Sequence, residues 1–172
     1  DRNSERRVRD QRTPSTFVNL AGEWIRPVGA HVLRIGAEEK YTRSTLNETR
    51  FSFMGGVPSG PFLFGGTEIG GSVYGQASLT ASDFVTVVLG GRGDFWKSEP
   101  RDSTSPTHAV NFFSPRVSVS WQSAPNLTLR ASAYRSYRTP TLNELHRGFR
   151  VGSIVTKPNP LLEPERLTGL EG

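Results

Sequence analysis

Tight turns and long connections alternate along this chain without exception, and few folds require that. Strand-like segments are expected at about 16–26, 30–43, 70–82, 84–97, 115–123 and 126–138, with another beginning near 165. Residues 1–15 are charged and polar and read as a loop. Pro27-Val28-Gly29, Ser82-Asp83 and Ala124-Pro125 are short enough to close hairpins. The connections between those hairpins, 44–69, 98–114 and 139–164, are long. Nothing in a soluble β-sandwich demands such a rhythm. An outer-membrane barrel does, because its periplasmic turns are short and its extracellular loops long.

Within the strands, apolar and polar residues alternate. Leu127, Leu129, Ala131 and Ala133 oppose Thr128, Arg130, Ser132 and Tyr134. Val117, Val119 and Trp121 oppose Arg116, Ser118 and Ser120, and Val73, Ala77 and Leu79 oppose Ser72, Gln76 and Ser78. Side chains point to opposite faces with period 2, so each strand has one apolar face. A sandwich would share that period. Strand length argues for the membrane: these segments run about 10–13 residues, where a tilted membrane strand needs about 9–11 and soluble strands average about 5–6. Arg34 and Arg130 sit mid-strand on the polar face, which suits a wet lumen. Trp24 and Trp121 lie on the apolar face near tight turns, where an aromatic girdle would stand.

Composition fits this reading. The chain is 34% hydrophobic, with 18 Gly and 12 Pro, which favours turns over long helices. It has no Cys, hence no disulfide frame and no thiolate metal site. The net charge is +5, and Lys occurs only at 40, 97 and 157, so nearly all positive charge is Arg. Arg grips carboxylates and phosphates in a bidentate fork, which suits anionic ligands or lipopolysaccharide. No apolar run is long enough for a transmembrane helix, a test that strands escape.

The last third carries a recognisable succession. One strand ends in Tyr137-Arg138-Thr139-Pro140-Thr141-Leu142-Asn143-Glu144-Leu145. Asn159-Pro160-Leu161-Leu162-Glu163-Pro164-Glu165 follows, then Gly169-Leu170-Glu171-Gly172. This order and spacing resembles TonB-dependent receptors of the outer membrane. Pro140 and Thr141 stop a strand, Asn159-Pro160 and Glu163-Pro164 stiffen turns, and Gly169 and Gly172 suit a crowded re-entry to the barrel wall. The resemblance implies a barrel of about 22 strands, of which this chain would hold about seven. It also implies a plug domain, a TonB box and energy-coupled import of a scarce ligand such as a ferric siderophore. Neither plug nor TonB box is recognisable in this sequence.

Other motifs carry little. Arg92-Gly93-Asp94 spells an adhesion tripeptide but lies at a predicted strand end. Gly65-Gly66 and Gly70-Gly71 precede no P-loop lysine. Asn47-Glu48-Thr49 and Asn126-Leu127-Thr128 match a glycosylation acceptor that a bacterial chain does not use. His31, His108 and His146 lie far apart in sequence, without metal-ligand spacing, and no Ser/His/Asp set stands out. Neither a catalytic residue nor a cofactor or metal is expected. Ligand contacts are expected in the long loops, at Arg50, Phe51, Phe53, Arg101, His108, Arg147, Phe149 and Arg150, since Arg and aromatic side chains anchor binding surfaces.

The expectation is therefore an all-β, antiparallel transmembrane β-barrel fragment of about seven strands, with edges left open along 16–26 and 165–172. Its place would be the outer membrane of a Gram-negative bacterium. Its partners would be outer-membrane lipids, lipopolysaccharide, the TonB complex and a small ligand, and not nucleic acid. A passive porin or structural barrel is the alternative, and a soluble β-sandwich binding module the third reading.

Overall fold

The computed structural model describes residues 7–52, 56–102, 105–146, 149–151 and 154–172, with 149–151 and 154–156 given as backbone. Nearly all of it is one antiparallel sheet. The strands are β1 (Arg9–Arg12), β2 (Ser15–Val28), β3 (His31–Phe51), β4 (Pro58–Ser82), β5 (Val85–Pro100), β6 (His108–Ala124), β7 (Leu127–Arg138) and β10 (Glu165–Glu171). Between β7 and β10 lie a short helix, α1 (Leu142–His146), and a separate hairpin, β8 (Phe149–Val151) with β9 (Ile154–Thr156). The sheet runs in sequence order from β3 to β7 and then β10, and it does not close on itself.

Both β1 and β2 pair with β3. Arg12 faces Asn47 and Ser15 faces Ser44, so one register runs through Thr13 and Pro14. The two segments are a single edge strand broken where Pro14 has no N–H to give; its carbonyl accepts from Thr45 N at 3.1 Å. Seven strands therefore form the wall, as expected from sequence, but residues 9–15, read as loop, belong to the first of them.

The tight turns close at Gly29-Ala30, Asp83-Phe84 and Pro125-Asn126, each within two residues of its expected place. Gly29 has φ +60°, open to glycine at little cost. In a meander these three turns share one end, and the connections 52–57, 101–107 and 139–164 share the other. The first two of those connections are shorter than expected. Strands β3 and β4, 21 and 25 residues long, run on through most of 44–69, and β5 and β6 take up much of 98–114.

Register fixes the two faces. Leu33, Ala77, Leu89, Val117 and Ala133 lie in one cross-strand row on one face, and Arg34, Gln76 and Gly90 lie in a row on the other. On the apolar face, outward runs extend from Val85 to Phe95 on β5 and from Phe113 to Trp121 on β6. That is the span of about 9–11 residues that crosses a bilayer. Beyond the band, Lys97 and Glu99 appear on the same face. The strands thus continue past the band, where water can serve any unpaired backbone group. Trp24 and Trp121 are about half exposed on this face, close to the tight-turn end, so neither packs a core.

The β6–β7 ladder runs up from the turn and stops at Arg116 opposite Tyr134. Gln122 N–H donates to Phe84 O on the β5 side, so even-numbered residues of β6 face β5 and Pro115 faces β7. There it has no N–H to offer, which ends the pairing. Above it Phe112 and Tyr137 stack at 4.9 Å across the opened gap.

Candidate functional site

The polar face carries a trough of about 770 Å³ that touches every long strand from β2 to β10. Charge runs along it in linked pairs. Lys40 Nζ meets Glu38 at 3.0 Å, and Arg92 bridges Glu38 at 3.0 Å and Asp94 at 2.7 Å. Glu23 accepts from the Tyr74 hydroxyl at 3.0 Å and lies 3.6 Å from Arg34. Such a wall cannot face lipid, where each unpaired charge is costly, but it suits a wet lumen. Arg116 also lines the trough, and among the described residues neither it nor Arg130 forms an ion pair.

Two tyrosines explain two glycines. A Cβ on Gly36 would collide with the Tyr74 ring, and one on Gly169 would come within 2.5 Å of Tyr134 Cζ. Each ring lies flat over the glycine of its neighbouring strand, the device that shields a bare backbone in sheets. The Tyr134 hydroxyl then donates to Glu171 at 2.7 Å, so Tyr134, Gly169 and Glu171 weld β10 to β7.

The phrase around Arg138 builds a clasp. Arg138 forks onto Glu144 at 2.9 and 3.2 Å and onto Glu165 at 3.1 Å. Thr141 caps α1: its hydroxyl accepts from Glu144 N–H at 3.3 Å, and Glu144 accepts in return from Thr141 N–H at 2.8 Å. This is a capping box, reciprocal satisfaction of backbone donors at a helix start. The Arg138 guanidinium, with Thr141 behind it, holds the Glu144 carboxyl down at about 2. Asn159 N–H donates to Glu144 O at 3.1 Å, and Asn159 Oδ1 accepts from Leu161 N–H at 3.0 Å. Pro140 is buried and Pro160 and Pro164 half-buried, while Gly172 is exposed beyond the last strand.

The clasp folds α1 inward over the polar face above the apolar band. Leu145 is fully buried and Leu142 nearly so, with Leu142 Cδ2 3.3 Å from where a Gly66 Cβ would stand. Under this cover lie Leu46, Glu48, Trp96 and Ser98, all closed off from solvent. Burial raises the Glu48 carboxyl, but hydrogen bonds from Arg50 and Gln11 and the charges of Arg9 and Arg50 outweigh it and bring it below its usual range. Glu68, the cross-strand partner of Ser98, has no such help: burial pushes it up to about 7, and its Oε1 has no hydrogen-bond partner. His146 is buried with Nε2 unpartnered; burial lowers it, against Asp102 and with His108.

The expected ligand contacts fall on strands as well as on connections. Arg50 and Phe51 are in β3, not a loop; Arg50 binds Glu48 and lies 4.5 Å from the Phe62 ring, and Phe51 lies under Arg7. Arg101 donates to Thr45 Oγ1 at 2.9 Å. His108 opens β6, and its Nε2 contacts the Pro160 carbonyl, pinning the long connection to the wall. Phe53 and Arg147 lie outside the described residues, as do the side chains of Phe149 and Arg150. Arg50 and His108 stand at opposite sides of the mouth, on strands separated by β4 and β5. Glu68, Ser98 and the Arg9–Gln11–Glu48 knot escaped the sequence reading, because the β3 extension past residue 43 shows no apolar–polar alternation. Among the described residues no group of three or more His, Asp or Glu is placed to hold a metal.

Arg138→Ala leaves Glu144 and Glu165 without their cation. The expected result is faster amide exchange in 142–146 with the β4–β5 ladder unchanged, read by hydrogen–deuterium exchange of the full-length parent in micelles.

The sequence model of the β-barrel of TonB-dependent receptor-like proteins matches residues 1–172, the whole chain. The chain belongs to this family. No curated protein matches it. Among solved structures, a TonB-dependent receptor fold recurs. The copper transporter OprC superposes with a TM-score of 0.79 at 15% identity, over 99% of this chain and 29% of that one. A chain of the FpvAI–pyocin S2 complex gives 0.51 at 16% identity, over 75% of this chain and 18% of that one. At such identities the likeness is one of fold. The TonB-dependent barrel wall is thus an antiparallel meander with a polar inner face, and this chain spans less than a third of either neighbour's length. Its family is one of outer-membrane receptors and transporters.

Proposed function

We propose that the chain is part of the barrel wall of an outer-membrane receptor that imports a scarce ligand by TonB coupling, without catalysis. The family match over the whole chain carries this reading. The plug domain and TonB box would then lie in other parts of the parent protein. The cargo proposed is an anionic chelate such as a ferric siderophore. Two observations support it: the positive charge is nearly all Arg, and Arg50, Phe51 and Arg101 gather at the end of the wall beyond the apolar band. Phe53, His108, Arg147, Phe149 and Arg150 complete the proposed contacts. Bare metal, the cargo in the name of OprC, is the second reading. It asks for soft or imidazole donors, and this chain has three His, one Met and no Cys.

The test is uptake by cells carrying the full-length parent, with and without TonB, offered labelled ferric siderophore or labelled copper. Saturable siderophore uptake lost without TonB is the expected result. TonB-independent uptake would favour a passive porin, and TonB-dependent uptake of copper alone would move the cargo to the metal ion.

A further inference from the structure

Arg135 sits on the outward face by register, opposite Thr168 on β10 and two residues above Ala133 on β7. Carried across β6 and β5, its row is that of Pro115 and Gly91, inside the apolar band. A guanidinium held in hydrocarbon there is costly. Yet Arg135 also lines the polar trough on the inner face. Tyr137, the next outward residue of β7, repeats the pattern. It borders an inner pocket of about 350 Å³ and stacks on Phe112, an inward residue of β6. Rings that belong to opposite faces cannot stack across an intact ladder. Both residues are therefore reached from the lumen through the wall.

The way through is the seam above Arg116, where the β6–β7 ladder ends. Backbone groups of Phe113 and Asn111 point at β7, and those of Arg135 and Tyr137 point back, but no ladder joins them. Pro115 and Phe113 stand within the band, where backbone groups need partners. The slot is lined on both sides. On the inner side Ser114, Arg116 and Ser136 flank it. On the outer side, just below it, lies a groove of about 440 Å³. The floor of the groove is Ala131 and Ala133; Val117 and Val119 form one wall and Leu170 the other. Those walls stand on the strands either side of β7, about 10 Å apart at the backbone. That leaves room over the alanines for one alkyl chain.

We infer that this slot binds a single-chain amphiphile with a carboxylate head. The head lies on the lumen side between Arg116 and Arg135, and the chain passes through the slot into the outward groove. Neither arginine forms an ion pair among the described residues. A guanidinium forks onto a carboxylate, which supplies the missing partner. Glu171, held by the Tyr134 hydroxyl, also lines this end of the trough. Two guanidinium groups beside one carboxylate leave a single positive charge, which suits a monoanion. An anion without a tail has no use for the groove, and a neutral chain has no use for the arginines. The inference rests on the outer-membrane placement of the parent, and it concerns a site apart from the cargo contacts at the mouth.

The experiment places the full-length parent in lipid nanodiscs and adds a saturated fatty acid carrying a photoreactive diazirine in mid-chain. The matching fatty alcohol is the neutral probe, and peptide mass spectrometry maps the labels. The acid is expected to label 117–119 and 131–133 about tenfold more than the alcohol, the worth of a charge-assisted contact that the alcohol lacks. Arg116→Ala with Arg135→Ala should bring the acid down to the level of the alcohol. Ala133→Phe, which fills the groove and keeps both arginines, should remove the preference too. Pro115→Val tests the slot itself. It restores the missing N–H, so β6 can zip onto Arg135 while arginines and groove stay. Slower amide exchange at 135–137 and loss of the preference are expected together. Arg26→Ala, at the other end of the apolar face, should leave labelling unchanged. Circular dichroism checks that each variant keeps its sheet. Equal labelling by the two probes overturns the proposal. So does an undiminished preference in the arginine double variant, or in a Pro115→Val protein whose exchange has slowed. Failure of the outer-membrane placement would show separately, as parent protein absent from the outer-membrane fraction of cells.

Discussion

Expressed without detergent, the 172-residue chain is expected to leave a size-exclusion column as large assemblies and not as a monomer. Two properties of the wall drive this. The sheet is open, with the β1–β2 strand bonded on one side only and β10 bonded to β7 alone. Unpaired strand edges recruit further strands. Its apolar face is bare: Leu20, Val73, Leu129 and Leu170 are each about half exposed or more. A patch of that extent drives association in water. Detergent covers the face but not the edges, so micelles alone should yield soluble oligomers. Refolding within the complete barrel closes the edges, and detergent then covers the face, so both hazards should go. A sharp monomeric peak with cooperative thermal unfolding, in plain buffer, would sink the membrane reading and restore the soluble sandwich.

The wall itself was legible in the sequence because lipid imposes a simple rule. Inside the band every strand must alternate, and the run Val117, Val119, Trp121 opposite Leu129, Ala131, Ala133 leaves one register possible. Above the band the rule lapses. Both faces of Thr45–Arg50 are wet or covered by loop, so the stretch is polar on both sides and reads as loop, although the ladder with β4 continues. The inward fold of α1 was not legible, because its cause is long-range. Arg138 and Glu165 lie 27 residues apart in sequence and meet only when β10 pairs with β7. The same distance effect hid the intramolecular partners of three expected ligand contacts. Arg50, Arg101 and His108 look like loop anchors until Glu48, Thr45 and Pro160 are placed beside them.

The seat of α1 should respond to pH through three groups with different signs. Glu144, held at about 2 by Arg138 from an ordinary 4.5, contributes stability that is present above 4.5 and lost as pH falls toward 2. His146, lowered from 6.5 by burial, contributes above 6.5 and loses its contribution as pH falls through its folded value. Glu68 works the other way. Raised by burial from 4.5 to about 7, it favours the folded state fully below 4.5, and that contribution is lost as pH rises through 7. His108 and Asp102 also face this cover, and both stay in place when Glu68 alone is changed. Glu68→Gln keeps the shape and removes the ionisation. The variant should match wild type at pH 4.5 and protect residues 142–146 better at pH 8, by about 1–3 kcal/mol. The upper figure converts the whole shift, and the lower allows for solvent screening of a carboxyl that is not fully enclosed. Hydrogen–deuterium exchange of the full-length parent in micelles, at both pH values, measures the difference directly. Equal protection at pH 8 would mean that Glu68 is ionised at no cost, with a cation beside it that the described residues do not supply.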